Sequence, residues 1–339
     1  MERKERNRQI FIVIAILALL LVGGLIIALD WHDVRQLIGE ASWEMVLLSL
    51  LCVVGSYVCL SYGFVVVNRI FGINMKQRDL LEIGFISSTL NNLLAFLGAA
   101  GHSLRLMVMQ RKGVKPEKAL ASSIFHSHFH NLMMFCLLPT GIIYLILHHS
   151  LSHKTEIVLI LATVILIIFV VMATAIVFMR SFRLKVLHLL TRLSRLIIRK
   201  NIESSVNTFD DSMNIGVAAI KAKPVLLIPV LVLIIADWAT AVAALWFCFS
   251  GLGNTLSLGV LITGFAVGIT VGNLSLIPGG LGMQEASMAG VYALLGVPFE
   301  LAVLASILFR VVYDFIPFLL SVFFYRRLLQ TAEISAIKN

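Results

Sequence analysis

The sequence predicts an all-α polytopic membrane protein with about six full spans and two re-entrant helical hairpins in an inverted repeat. Three observations carry that expectation. The 339 residues are 59% hydrophobic and 13% charged, with mean hydropathy +0.97, where a soluble chain carries about 25% charge. Basic residues cluster between the apolar runs, in an order that assigns each run a direction. Two further apolar runs each break at a glycine-rich tip, and the two tips match at a fixed offset.

The first apolar run, 10–29, follows the basic stretch Met1–Arg8. It is longer than a typical signal-peptide core, and no small-x-small cleavage site follows, so it reads as a retained span with a cytoplasmic N-terminus. The stretch after it holds Asp30, Asp33, Glu40 and Glu44 against Arg35, which suits the outer face. The run 44–67 returns to Arg69, Lys76 and Arg78 on the inside. Arg111, Lys112, Lys115 and Lys118 also belong inside, so residues 80–112 enter and leave on one side. That is a re-entrant hairpin with GAAG, 98–101, at its tip.

Spans at 119–147 and 155–179 follow, with His148, His149 and His153 between them on the outside. Residues 180–200, RSFRLKVLHLLTRLSRLIIRK, set Arg180, Arg183, His188, Arg192, Arg195 and Arg199 against leucines. This pattern is a basic amphipathic helix, about 180–203, lying on the cytoplasmic surface. It either draws anionic lipid or fixes topology. The span 225–249 goes out, 300–324 comes in to Arg326 and Arg327, and 256–296 is a second hairpin opening outward. Its tip is PGGLG, 278–282.

The hairpins are related. Asn92, Leu93, Gly98 and Gly101 precede Asn273, Leu274, Gly279 and Gly282 by 181 positions. Val114, Glu117, Ala119, Ser123 and Ile124 precede Val297, Glu300, Ala302, Ser306 and Ile307 by 183. The whole chain, 1–339, therefore reads as one transmembrane domain, with repeat 1 about 44–179 and repeat 2 about 225–324. Inverted repeats with broken helices place binding sites at the bilayer midplane in many secondary transporters.

Broken helices free backbone N–H groups, so each tip must line protein or water. Gly279, Gly280 and Gly282, and on the other side Gly101, are candidates for an anion cradle at a helix start. The bland alternative is a kink where glycines permit close helix packing. Asp237, Arg310 and Asp314 lie inside spans, and Glu285 follows the second tip. Each costs about 3 kcal/mol at membrane depth even on the lenient insertion scale. Three acids against one arginine leave room for a cation, a proton or a substrate, while a purely structural ion-pair network is the competing reading. Arg105 and His102 follow the first tip, where Arg105 either binds phosphate or snorkels, and Asn92 and Asn273 flank the breaks.

In SIFHSHFHN, His126 and His130 share a helical face and His128 points away, toward the expected pathway. No carboxylate or cysteine stands at ligand spacing, so no metal or other cofactor is expected. Cys52, Cys59, Cys136 and Cys248 read as small core residues. The net charge of +9 sits mostly between spans, which fits anionic lipid and topology, and nucleic acid is not an expected partner.

The stretch GNLSLIPGGLGMQEASMAGVYALLGVPFELAVLASILFRVVYDFIPF, 272–318, resembles the membrane region of lysylphosphatidylglycerol synthases, the flippase half of the multiple peptide resistance factor. Pro278–Gly282 with Glu285, then Gly296–Pro298, then Arg310, Asp314 and Pro317 carry the resemblance. The first half departs from it. FLGAAGHSLR has no proline before the tip and places His102 where an acid is expected, whereas Arg105 does match. The chain ends 15 residues after its last expected span, so the aminoacyl-transferase activity of the full synthases is not expected. The resemblance implies a lipid translocase in the cell (inner or plasma) membrane. Its substrate would be a charged phospholipid or polyprenyl-phosphate-type lipid with a phosphate-bearing head. The alternative is a lipid-modifying transferase or its accessory subunit. A homodimer stays open.

Overall fold

The computed structural model describes residues 31–94, 99–148, 153–197, 203–275 and 277–337. The expected first span, 10–29, and Gly98 of the first tip lie outside the described residues. Everything described is helix or short connection, and five helices are long and apolar enough to cross a membrane. The all-α polytopic expectation is met at that level.

In chain order, α1 (Trp31–Gly39) leads into α2 (Trp43–Ile70). Helices α3 (Gln77–Leu94) and α4 (Ala99–Arg111) pack side by side as the first hairpin. Next come α5 (Pro116–His148), α6 (His153–Phe178), α7 (Arg180–Ile197) and α8 (Glu203–Ala222). A short 3-10 turn at Pro224–Leu226 opens α9 (Leu227–Gly251). Helices α10 (Leu258–Leu274) and α11 (Met283–Leu294) form the second hairpin. The chain then runs through α12 (Phe299–Arg310), a π-helical turn at Val311–Phe315, and α13 (Ile316–Ile337).

The same order occurs twice. Shifting Trp43–Ile70 by 181 positions gives 224–251, the span of the 3-10 turn with α9, and shifting Gln77–Leu94 gives 258–275, which is α10 and its cap. The start of α5, moved by 183, falls on Phe299.

Helices α2 and α9 form the most extensive interface among the described residues. Ser42 N donates to Gly251 O at 2.7 Å and Ser49 Oγ to Ala244 O at 2.9 Å. Farther along, a Cβ on Gly55 would touch Thr240, and Gly63 faces Leu233. One number rises as the other falls, so the two equivalent helices cross antiparallel. Ser49, Ser56 and Gly55 keep that seam narrow. Around it, α6 exposes Ile160, Leu161, Val164, Ile165, Ile168 and Phe169, an apolar surface suited to lipid.

The basic helix differs from its expectation on one face. Arg183 points inward and is only 1% exposed, and its Nε donates to Asp210 Oδ1 of α8 at 2.7 Å. Its Nη1 donates to Val177 O at 2.8 Å, satisfying a carbonyl orphaned at the end of α6, and Nη2 donates to Asn214 Oδ1. Arg180 Nε reaches the other Asp210 oxygen at 2.9 Å. Lys185, His188, Leu189 and Arg192 remain exposed. The helix is therefore clipped to α8, and not every arginine is free for lipid. Arg183→Ala should cost about 3 kcal/mol, the size of breaking a buried pair. Thermal unfolding in detergent reads this, and an unchanged midpoint would show the clip to be idle.

Candidate functional site

The second hairpin closes on glycines that the sequence reading did not single out. Gly264, Gly268 and Gly272 recur every four residues on α10. They receive Tyr292, Met288 and Gln284 of α11 in turn, leaving no room for a Cβ at any of the three. This is small-residue packing between antiparallel helices. Tyr292 Oη then donates to Leu261 O at 2.9 Å.

At the break, Gly279, Gly280 and Gly282 hold φ of 63°, 63° and 80°, conformations that suit glycine. Gly280 rests on the backbone of Gly272. Gly279 lies against the first hairpin, where an added Cβ would stand 2.5 Å from Leu93 O and 2.8 Å from Asn92 O. The break of one hairpin thus abuts the end of α3 in the other.

The N-terminus of α11 is already capped. Gly282 N donates to Glu285 Oε2 at 2.8 Å, so the helix supplies its own anion. Glu285 thus occupies one of the N–H groups that a phosphate cradle at the second tip would use. Glu285 Oε1 also lies 2.8 Å from Arg310 Nε, though the N–H is not directed along that contact. Arg310 Nη1 donates to Asp314 Oδ2 at 2.7 Å and to Gln284 Oε1 at 3.0 Å, and Nη2 donates to Gly279 O. A single buried guanidinium thus ties the broken turn, the start of α11 and the π turn together. Asn92 approaches from the first hairpin, beside Asp314, and its Nδ2 donates to Tyr57 Oη at 3.0 Å.

Asp237 stands apart from Arg310. Ser56 Oγ donates to Asp237 Oδ1, and His130 Nδ1 lies 3.1 Å from Oδ2. Ser56 Oγ also shares a 2.8 Å hydrogen bond with Tyr313 Oη. These four residues obey the repeat, since Ser56 and Asp237 differ by 181 and His130 and Tyr313 by 183. Their neighbours do so too. Tyr57 Oη donates to Tyr313 O at 3.1 Å, as Trp238 Nε1 donates to His130 O at 3.1 Å, and Tyr57 and Trp238 again differ by 181. Equivalent residues meet where α2 crosses α9, which marks an approximate two-fold axis perpendicular to those helices. The expectation that three acids share one arginine is corrected accordingly. Arg310 serves Glu285 and Asp314, and Asp237 has a histidine.

The first hairpin is built on a cation. Gly101 N donates to Asn91 Oδ1 at 2.7 Å, and Gly101 sits too close to Ser87 O for any side chain. Arg105 is 2% exposed. Its Nε donates to Ser87 Oγ at 2.6 Å, its guanidinium carbon lies 4.4 Å from the centre of the Phe64 ring, and its Nη1 is 3.5 Å from His126 Nδ1. Among the described residues no carboxylate pairs with it. His102, one turn earlier, buries Nδ1 without a hydrogen-bond partner. Full burial rules out the snorkelling alternative for Arg105.

The structure therefore gathers Glu285, Arg310, Asp314, Gly279, Gly280, Gly282 and Asn92 at one junction, with Asp237 beside it across Tyr57 and Tyr313. Gly101, His102 and Arg105 lie together on α4, with Gly101 and Arg105 held against Asn91, Ser87 and His126. His128 and Asn273 are not part of either. His128 Nε2 is 3.3 Å from Thr174 Oγ1 of α6, and Asn273 Nδ2 contacts Met134 Sδ at 3.2 Å. Ser56, His130 and Tyr313 were missed, although the offsets of 181 and 183 lead from Asp237 to Ser56 and from His130 to Tyr313.

Residues 11–321 match the model of the lysylphosphatidylglycerol synthase TM region. The chain belongs to that family. Relatives include a UPF0104 membrane protein of Methanothermobacter thermautotrophicus, 22% identical over 318 residues, 91% of each chain. Two further matches to UPF0104 membrane proteins of that organism are 32% identical over 74 and 83 residues, about a fifth to a quarter of each chain. Membership of this family agrees with a multi-pass membrane protein of lipid-related function.

Proposed function

We propose that this chain is a lipid translocase whose two hairpins are re-entrant and form an inverted repeat, with their tips near the bilayer midplane. The antiparallel crossing of α2 and α9, and the recurrence of element ends at 181 to 183 positions, support the inverted relation. The observation that carries the substrate reading is Arg105, a guanidinium buried with no carboxylate partner among the described residues, beside His102, whose Nδ1 is buried without a hydrogen-bond partner. A phosphate-bearing headgroup supplies the missing anion. Glu285 already neutralises the second tip, so the anion belongs at the first, and Arg310 holds the two tips in register. Rocking of one half against the other then changes which leaflet the headgroup sees.

Reconstituted vesicles carrying fluorescent phosphatidylglycerol test this. Arg105→Ala should slow leaflet exchange about 10- to 150-fold, the value of a charge-assisted contact of 1.5–3 kcal/mol. Arg105→Lys should recover part of it. Wild-type exchange in Arg105→Ala would refute the headgroup assignment.

A further inference from the structure

We propose that Asp237 and His130, bridged through Ser56 to Tyr313 on the two-fold axis, form a proton-binding site that drives the movement of the two halves. This inference rests on the translocase reading above and names its coupling ion.

Asp237 is 1% exposed, yet the side chain of its partner His130 is 27% exposed. The carboxylate is therefore enclosed by protein while part of the neighbouring imidazole reaches the molecular surface. His130 also stacks on Trp238, with ring centres 4.9 Å apart, which fixes its plane. A proton arriving at the imidazole gives an imidazolium 3.1 Å from the Asp237 carboxylate; the Nδ1 and Oδ2 atoms are close but not hydrogen-bonded in this structure, so transfer of the Nδ1 proton to Oδ2, which gives a neutral pair, follows their alignment. Only N–H and O–H bonds are made or broken, and the net gain is one proton.

The readout is the hydroxyl chain. Ser56 Oγ donates to Asp237 Oδ1, so Tyr313 Oη donates to Ser56 Oγ at 2.8 Å. A hydrogen bond to a carboxylate is about twice as strong as one to a neutral acid, so loading the site loosens the hold on Tyr313. Tyr313 lies in the π turn Val311–Phe315, next to Asp314, which pairs with Arg310. A π turn inside a helix is a rare and often functional irregularity. Here it links the proton site to the junction of the hairpins. The position on the axis matters as well, because one group there is shared by both halves.

Other titratable groups face this site. Tyr57 and Cys59 come from α2 and His126 from α5, with Arg105 and His102 of α4 behind His126. Helix α10 brings none. On α8, Asp210 and Asp211 are paired with Arg180, and Asp210 with Arg183 as well.

The test reconstitutes the full chain in phosphatidylcholine vesicles with fluorescent phosphatidylglycerol as probe. It compares exchange with and without a two-unit pH gradient in the same preparation, so differences in folded fraction cancel. The expected ratio is at least fivefold for wild type and close to one for His130→Gln and Tyr313→Phe. A wild-type ratio of one with active exchange, or variants that keep the wild-type ratio, would overturn the proton site and leave the translocase reading standing. If wild type moves no probe at all, the translocase reading fails. Infrared difference spectra between acidic and neutral pH then decide the proton site alone. A carboxylic-acid band lost in Asp237→Asn supports it, and a band unchanged by that substitution refutes it.

Discussion

Arg310→Ala is expected to be the most damaging single substitution in the second half of the chain. It removes the one cation between Glu285 and Asp314, which are 9% and 4% exposed at their side chains. It also removes the donor to Gly279 O that ties the broken turn to α12. Breaking a buried pair from one side costs about 3–5 kcal/mol, because the orphaned charge stays behind. Here two charges are orphaned, so the loss should fall at the upper end of that range. Thermal unfolding in detergent, followed by tryptophan fluorescence, measures it. The triple variant Arg310→Met, Glu285→Gln, Asp314→Asn should recover much of the stability, since no buried charge remains, but it should not recover lipid exchange. A single Arg310→Ala variant as stable as wild type would mean that this cluster is hydrated.

Gly279→Ala should have the next largest effect, and for a different reason. The residue sits at φ 63°, and its Cβ would press on two carbonyl oxygens of the first hairpin. Backbone strain of this kind is worth about 1–3 kcal/mol, and the collision must also part the broken turn from the end of α3. Gly290 supplies the control, because it lies inside α11 with nothing within 4 Å of an added Cβ. Gly290→Ala should be neutral or stabilising by up to about 1 kcal/mol. The pair of substitutions separates a general loss of glycine flexibility from a specific contact between hairpins. Equal effects at 279 and 290 would remove that contact from the account.

Much of this arrangement was legible in the sequence, and the reason is the bilayer. Charge is expensive at depth, so Glu285, Arg310 and Asp314 stood out at once, and the glycine-rich breaks could not pass for lipid-facing helix. Element limits were also close, with the run 44–67 becoming Trp43–Ile70 and 300–324 becoming Phe299 onward. What escaped was whatever depends on a neighbour from another helix. The glycines at 264, 268 and 272 look like ordinary membrane-helix composition until Gln284, Met288 and Tyr292 are laid against them. Arg183 fits an amphipathic surface pattern equally well whether it faces lipid or Asp210. Glu285 was read as one of three acids sharing Arg310, whereas its reach to Gly282 N also makes it a cap. His130 was hidden because a histidine on an apolar face is usually core. Only the packing of α5 against α9 reveals that its partner is the axial Asp237.

The central claim of the proposed function is that the break at Gly279–Gly282 meets the end of α3, one hairpin from each half, inside the membrane with Arg310 at the junction. A cryo-electron microscopy map of the full chain in a lipid nanodisc tests it most directly. The account predicts Gly279 packed on the Asn92–Leu93 peptide, deep between the two phosphate layers, with Arg310 bridging Glu285 and Asp314. A map that separates the tips by an intervening helix, or that places either tip against acyl chains at the molecular surface, would contradict it.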